Sequence, residues 1–405
     1  MARTWIISEY CYPVVVTTGY YVTEIAEYMA AKGLDVGVIT SNNTYYASDE
    51  SSQLKFEEHK GVKIYRKIHK QISKDDNKKR IVRLLSLSFS FFWMSLRHLK
   101  KGDQVIVLTN PAFFMLFMPV VRFFTGCKYH ILVHDIFPEN LSSLGKVNQN
   151  GGLYKLLKRV FDKAYSKADS LISIGNDMSN VLSAKVKGKT PIHLITNWAD
   201  VDEVKPQIKE ETETYKKVKD FAEGHVLFQF AGNLGKAQGL DNVLAAISKV
   251  ETDEARFLFV GAGAKLEDIN EFAKTHENTY SFGFVNRSMQ NDFLNACDIG
   301  IVTLADGMYG LGVPSKSYNI MATGRPILYV GEEDSEVALF VKKYGIGWVV
   351  KPNDPIALKN QIEEIIKERD TLQQKGIKAR EVAEKVYGKD VVLEQYYQFI
   401  KKQND

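Results

Sequence analysis

The chain has 405 residues, 45% of them apolar, and a formal net charge of +4. That length and apolar share suit two domains with substantial cores and exclude a disordered chain. The small charge, with no long basic run interleaved with aromatics, argues against nucleic acid, and Cys11, Cys127 and Cys297 are scattered in no metal spacing, as free thiols of a reducing cytoplasm would be.

The N-terminal MARTWIISEYCYP holds too short an apolar run for a signal peptide and reads as a first strand, Trp5 to Ser8. Thr17, Thr18 and Gly19 then form a loop before a helix carrying Ile25, Tyr28 and Met29; such a loop either approaches a phosphate or sugar or merely connects. Further strands are expected at 36–40, 105–109, 129–133, 170–174 and 192–195, with a hairpin over 56–68. Two apolar segments with basic ends, 78–101 and 113–128, carry Arg83 and several serines in one case and Pro119 and Arg122 in the other. Spanning a bilayer takes about 20 predominantly apolar residues. Both are therefore expected as helices packed on a sheet, with part of their surface, including Arg80, Arg83, Arg97, Lys100 and Lys101, resting on an anionic membrane.

The strand at 129–133 runs into HDIFPE, which crowds His134, Asp135 and Glu139 at one strand end. His134 suits a hydrogen bond to a substrate hydroxyl or a shared proton, and Asp135 suits orienting or binding it; capping of sheet and helix is the plain alternative. The polar stretch 202–219 reads as a linker. Asp200-Val201-Asp202 has the form of an Asp-x-Asp metal site but lies beside that linker with no further ligands, so no required metal is expected.

In the second half, a strand over 226–231 leads through Gly232, Asn233, Gly235, Lys236 and Gly239 into a helix near Leu240. The glycines let backbone amides approach a ligand. This is no Walker loop, and Gly261-Ala262-Gly263 meets Leu266 where a dinucleotide fingerprint needs its third Gly. Strands follow at 257–260, 280–282, 299–304, 327–330 and 348–350. In VPSKSYNIMATGRPIL, 313–328, Pro314 stiffens the entry and Ser315 and Lys316 open a helix, an arrangement that suits an anion as well as an ordinary cap. Two such loops in one half suggest one diphosphate held between them.

The alternation of strands and helices predicts an α/β chain of two doubly wound Rossmann-like domains, 1–205 and 220–385, facing a central cleft, with 386–405 packing back on the first. GNLGKAQGL, FVGAG, SFGFVNR, ACDIGIVTL, VPSKSYNIMATGRPIL, VHDIFPEN, KADSLISIGNDM and ITNWADVD together resemble glycosyltransferase family 4, with the GT-B fold. The similarity is greatest to a branch proposed to add N-acetyl-L-fucosamine in O-antigen synthesis. It implies that His134 meets the donor sugar, Gly19 lies near the donor phosphates, and 284–286, with Phe284 and Val285, read the base, Arg287 nearby. Most of the family has Arg and Lys where this chain has Asn233 and Gln238. A pair of glutamates with seven residues between them falls here on Leu311 and Asn319. In this variant site Lys316, helped by Lys236, is expected to replace the lost cation, and Asn319 to hydrogen-bond ribose.

The implied activity is retaining transfer from a UDP-sugar to a polyprenyl-diphosphate-linked saccharide by an enzyme peripheral on the inner face of the cytoplasmic membrane. The alternatives are a noncatalytic GT-B partner subunit and a nucleotide-sugar epimerase. Loops 40–52 and 306–312 would select the sugar.

Overall fold

A computed structural model describes residues 2–14, 16–44, 52–69, 77–143 and 145–404. Residues 45–51 of the expected sugar-selecting loop lie outside the described residues, as does the side chain of Arg80. The chain divides into two compact units, Met1–Ile195 with Leu393–Asp405, and Thr196–Val392.

The first unit is an eight-stranded sheet in the order β3-β4-β2-β1-β5-β6-β7-β8. Its strands are β1 (Thr4–Ile7), β2 (Val36–Ser41), β3 (Phe56–His59), β4 (Val62–Lys67), β5 (Gln104–Leu108), β6 (Lys128–Val133), β7 (Ser170–Ser173) and β8 (Ile192–Leu194). Among the described residues only the β3–β4 hairpin is antiparallel; the other pairs are parallel. The central strands are buried along their whole length, which is why they read as unbroken apolar runs. Its helices are α1 (Thr17–Ala31), α2 (Asn77–His98), α3 (Met118–Thr125), α4 (Glu139–Ser143), α5 (Gly152–Tyr165) and α6 (Asn176–Val186). No helix among the described residues is long and apolar enough to cross a membrane.

One expectation fails here. Thr17–Gly19 is the first turn of α1 and not a loop. Gly19 is buried, and a Cβ there would stand 2.5 Å from the Val14 carbonyl oxygen. The glycine is thus needed where the preceding segment packs on the helix, a constraint that has no local sequence signature.

A polar row crosses the sheet interior. His130 of β6 is fully buried, with Nδ1 2.8 Å from Ser170 Oγ on β7 and Nε2 3.1 Å from Gln104 Oε1 on β5. Burial pushes its pKa down to about 4, helped by His193 and Lys128. An unfolded histidine titrates near 6.5, so the neutral ring contributes stability above that pH, and the contribution is lost as pH falls through the window from 6.5 to 4. The expected loss is about 3 kcal/mol. Urea unfolding at pH 7 and pH 4.5 checks it: the difference should shrink in His130→Asn, while His134, lowered for a similar reason, keeps part of the slope.

The second unit carries a parallel sheet ordered β11-β10-β9-β12-β13-β14. The strands are β9 (Val226–Ala231), β10 (Ala255–Val260), β11 (Thr279–Gly283), β12 (Ile299–Thr303), β13 (Ile327–Val330) and β14 (Gly347–Val350). Around them run α7 (Glu213–Lys217), α8 (Lys219–Ala222), α9 (Leu240–Ile247), α10 (Leu266–Thr275), α11 (Gln290–Asn295), α12 (Lys316–Ala322), α13 (Glu336–Tyr344), α14 (Pro355–Lys367) and α15 (Leu372–Lys385). Buried apolar clusters cover the sheet on either face, one around Leu258, Tyr318 and Tyr329, the other around Phe228, Phe257 and Ile365. The final helix, α16 (Lys389–Asn404), contributes Leu393 onward to the first unit, where Phe399 lies against His130 and His193.

The polar stretch 202–219 is folded rather than a free linker. Tyr215 and Val218 are buried in the second unit's core, and Asp292 accepts from the amides of Glu213 at 2.6 Å and Thr214 at 3.0 Å. Asp298 holds Lys209 at 2.8 Å. Partners some 80 to 90 residues away hold the segment, so its Lys- and Glu-rich composition misleads.

Candidate functional site

In the second sheet the chain starts at β9, moves outward through β10 to β11, then returns to β12 on the other side. The order reverses between β9 and β12, and in doubly wound sheets ligands bind beyond the carboxyl ends of the strands at such a reversal. The loops after β9 and β12 flank this point. Lys316 opens α12 beyond the second of them, with Ser315 at the N-cap making no side-chain capping bond and Pro314 accepting from the Ser317 hydroxyl at 2.7 Å.

Lys316 is the unusual group. Its ammonium lies 3.6 Å above the Phe230 ring centroid and donates to Gln238 Oε1 at 3.1 Å. Among the described residues no carboxylate forms an ion pair with it. Desolvation lowers its pKa to about 7. A half-buried cation held by a π-face and an amide oxygen lacks a counter-charge, and an incoming anion would supply one. Because α12 has only 7 residues, its dipole is short and the ammonium provides most of the positive field.

The glycine loops make the floor. Gly232 follows β9 and is exposed, and a Cβ on it would come within 3.5 Å of Lys316 Nζ. Gly261 and Gly263 have φ of +146° and +157°, and side chains on them would run into the backbone of Gly232 and Leu234. The Gly-Ala-Gly after β10 therefore packs one loop on the next, held by Gly232 N to Val260 O at 2.9 Å and Leu234 N to Ala262 O at 2.9 Å. Asn233 and Lys236 are exposed beside it, with Gly235 and Gln238 partly covered. Asn319, on α12, is half-buried, while Leu311 is fully packed. Beyond β11, Phe284 is 58% exposed, Val285 leans on the core, and Arg287 opens a short turn capped by Asn286. The structure thus brings Lys316, Gly232 and Gln238 into contact, and sets Asn233, Gly235, Lys236, Pro314, Ser315, Asn319 and 284–287 along the same carboxyl edge of one sheet.

Thr18, Gly19, His134 and Asp135 belong to the first unit. His134 follows β6, its amide donating to Thr109 Oγ1 at 3.2 Å and its ring edge-on to Tyr21 of α1 at 6.3 Å. Desolvation lowers its pKa to about 4, so at neutral pH it is an uncharged hydrogen-bonding group and not a proton carrier. Desolvation lifts the Asp135 carboxyl to about 6 against the Asn140 amide, which donates to it at 2.7 Å. Water still reaches Asp135, which is exposed, and it is ionised at pH 7. Glu139 does not join them: Lys185 and Lys158 hold it at 2.7 and 3.0 Å. Asp200 is likewise engaged, by Lys389 at 3.0 Å and the amides of Asp202 and Glu203. Among the described residues no three His, Cys, Asp or Glu side chains are placed to hold a metal.

Sequence reasoning missed one polar cluster, and with it the place of Arg83, which pairs with a buried carboxylate rather than facing a membrane surface. Glu9, just past β1, is 1% exposed and accepts from Arg83 of α2 at 2.6 Å and Asn43 beyond β2 at 3.0 Å. It sits where the first sheet's order reverses, between β1 and β5. Its members are 34 and 74 residues from Glu9 in sequence, so only an acidic residue at a strand end hinted at it.

Comparison with known proteins agrees with this architecture. Residues 18–203 match the model for glycosyltransferase family 4, and 211–382 that for glycosyl transferases group 1. The "Probable glycosyltransferase WbjE" of Pseudomonas aeruginosa is 38% identical over 79% of this chain and 80% of its own. WcaI of Escherichia coli (strain K12), named as a colanic acid biosynthesis glycosyl transferase, is 23% identical over 95% of this chain and 96% of its own. Among solved structures, the sucrose-phosphate synthase of Thermosynechococcus elongatus superposes with TM-score 0.78 at 15% identity, covering 99% of each chain. Anabaena Alr3699/HepE in complex with UDP gives 0.74 at 11% identity, covering 99% of this chain and 100% of its own. The fold is GT-B, and the chain belongs to the family 4 and group 1 glycosyltransferases.

Proposed function

We propose that the protein is a retaining glycosyltransferase that moves a sugar from a UDP-linked donor to a polyprenyl-diphosphate-linked saccharide in surface polysaccharide synthesis. The observation that carries this reading is Lys316, a cation with no carboxylate partner among the described residues, beside a glycine loop at the reversal point of the second sheet. A nucleoside diphosphate fits that need. HepE, named in complex with UDP, and WcaI, named for colanic acid, support the donor and the pathway class. N-acetyl-L-fucosamine, or another N-acetylated hexosamine, is the proposed sugar, for O-antigen or capsule. The lipid-linked acceptor places the work at the inner face of the cytoplasmic membrane.

In the proposed reaction the bond from the anomeric carbon to the diphosphate oxygen breaks as the acceptor hydroxyl oxygen attacks on the same face. The hydroxyl proton passes to the departing phosphate oxygen, and Lys316 with the loop amides stabilises the charge that grows there. Gly232, Asn233, Gly235, Lys236 and Gln238 receive the diphosphate; Pro314 and Ser315 shape its entry. Phe284, Val285 and Arg287 lie against the base, Asn319 bonds ribose, and His134 with Asp135 orients the sugar, near Thr18 and Gly19. No step uses a metal.

The test is incubation with labelled UDP-sugars and a lipid-linked saccharide extract, followed by NMR of the new linkage. A glycolipid product with the donor's anomeric configuration supports the proposal. Conversion of donor alone to an isomer would mean an epimerase, and activity appearing only with a homologous chain would mean a partner subunit.

Proton linkage gives an independent check. A diphosphate beside Lys316 raises its pKa from about 7, so binding takes up a proton at higher pH. UDP affinity is expected to fall about tenfold per pH unit between pH 7.5 and 9, beyond the range where phosphate itself titrates. In Lys316→Ala the calorimetric profile should be flat.

A further inference from the structure

The helices α2, α3 and α5 share one face of the first sheet. The chain advances from β4 to β5, β6 and β7 in one direction, and right-handed crossovers put their connecting helices on the same side. Ring contacts run through the short turn at 112–117 that leads into α3: Phe117 meets Phe92 of α2 at 5.6 Å, and Phe113 meets Phe161 of α5 at 6.4 Å. The outward surface of this layer is apolar. On α2, Leu85, Phe89 and Trp93 repeat at one-turn spacing, each 46% exposed or more; on α3, Phe123 and Phe124 are 81% and 67% exposed; Leu156 of α5 is 58% exposed. Single exposed apolar residues are ordinary, but a layer of them across three packed helices marks a docking surface.

The charge around it is predominantly basic: the one acidic residue of α5, Asp162, is tied to Lys158 and Lys185 at 3.0 and 2.6 Å. There is no acidic residue in 77–102, in 104–134 or in 140–161. Arg97, Lys100, Lys101, Lys155 and Arg159 are exposed on these helices and their ends, and none is in an ion pair among the described residues. Lys101 lies against Gly126, the C-cap of α3, which puts cations next to the Phe123–Phe124 pair. A protein partner usually meets a rim of mixed charge, whereas an anionic bilayer meets cations over its whole area and takes Trp and Phe into its interface.

We infer that α2, α3 and α5 form a membrane-docking face, with Trp93, Phe123 and Phe124 entering the interface of an anionic bilayer and the basic residues resting on its headgroups. This deepens the reading of a lipid-linked acceptor.

The experiment is co-sedimentation with vesicles of phosphatidylglycerol and phosphatidylethanolamine, or of phosphatidylcholine alone, for wild type, Trp93→Ser, Phe123→Ser/Phe124→Ser and Lys100→Glu/Lys101→Glu. Wild type should prefer the anionic vesicles and release at high salt, and each variant should bind at least tenfold more weakly. Thermal melting and UDP titration of the variants should match wild type, because the altered side chains are exposed. These two measurements read the donor site separately. Absence of binding to anionic vesicles at low salt would overturn the inference, as would wild-type binding by the aromatic double variant. A dimer in light scattering that this variant splits, without vesicle binding, would instead assign the face to a second copy of the chain.

Discussion

Lys316→Ala is expected to lower turnover about 30- to 1000-fold and to leave the fold intact. A charge-assisted bond to a departing diphosphate in a partly desolvated site is worth roughly 2–4 kcal/mol in the transition state. The side chain serves the fold little: it donates to Gln238 and lies over Phe230, with no ion pair among the described residues. Its removal relieves a desolvated cation, so the melting temperature should stay within about 3 °C of wild type. Steady-state transfer assays and calorimetric melting of the same preparation check both halves. Unchanged turnover would remove Lys316 from the mechanism.

Gly261→Ala should destabilise the protein strongly. Its φ of +146° is a conformation that side chains rarely adopt, and the new Cβ would overlap the Gly232 carbonyl. Relief would have to break Gly232 N to Val260 O or Gly261 N to Gly283 O, bonds of 2.9 and 2.7 Å that set the loops after β9 and β10. A cost of about 3 kcal/mol or more is expected, with loss of UDP binding. Gly345→Ala is the control: it also has positive φ but nothing within 4 Å, so it should cost about 1 kcal/mol and spare binding. Urea unfolding and UDP titration of the two variants separate a local packing defect from a general glycine effect.

These two residues show what a sequence can and cannot reveal. Buried parallel strands announce themselves, because Val226–Ala231 and Gln104–Leu108 are covered on both faces and are nearly all apolar. The Lys316 helix was legible from Pro314 before it and Gly324 after it. Its Phe230 and Gln238 neighbours were not, since 86 and 78 residues separate them from Lys316 and no local pattern joins them. The same distance effect hid Glu9 with Arg83 and Asn43, and made the packed segment 202–219 look like a linker. Gly261-Ala262-Gly263 lacks the spacing of a dinucleotide fingerprint, but its use in locking two loops together depends on contacts with Gly232 and Leu234, some 30 residues away, that no local pattern shows.

The most direct measurement is calorimetric titration of the wild-type protein and Lys316→Ala with UDP, with GDP and dTDP as controls. Saturable UDP binding to the wild type is expected, in preference to the other nucleotides, weakened at least tenfold in the variant. Absence of nucleotide binding, or UDP binding that the substitution leaves unchanged, would contradict this expectation.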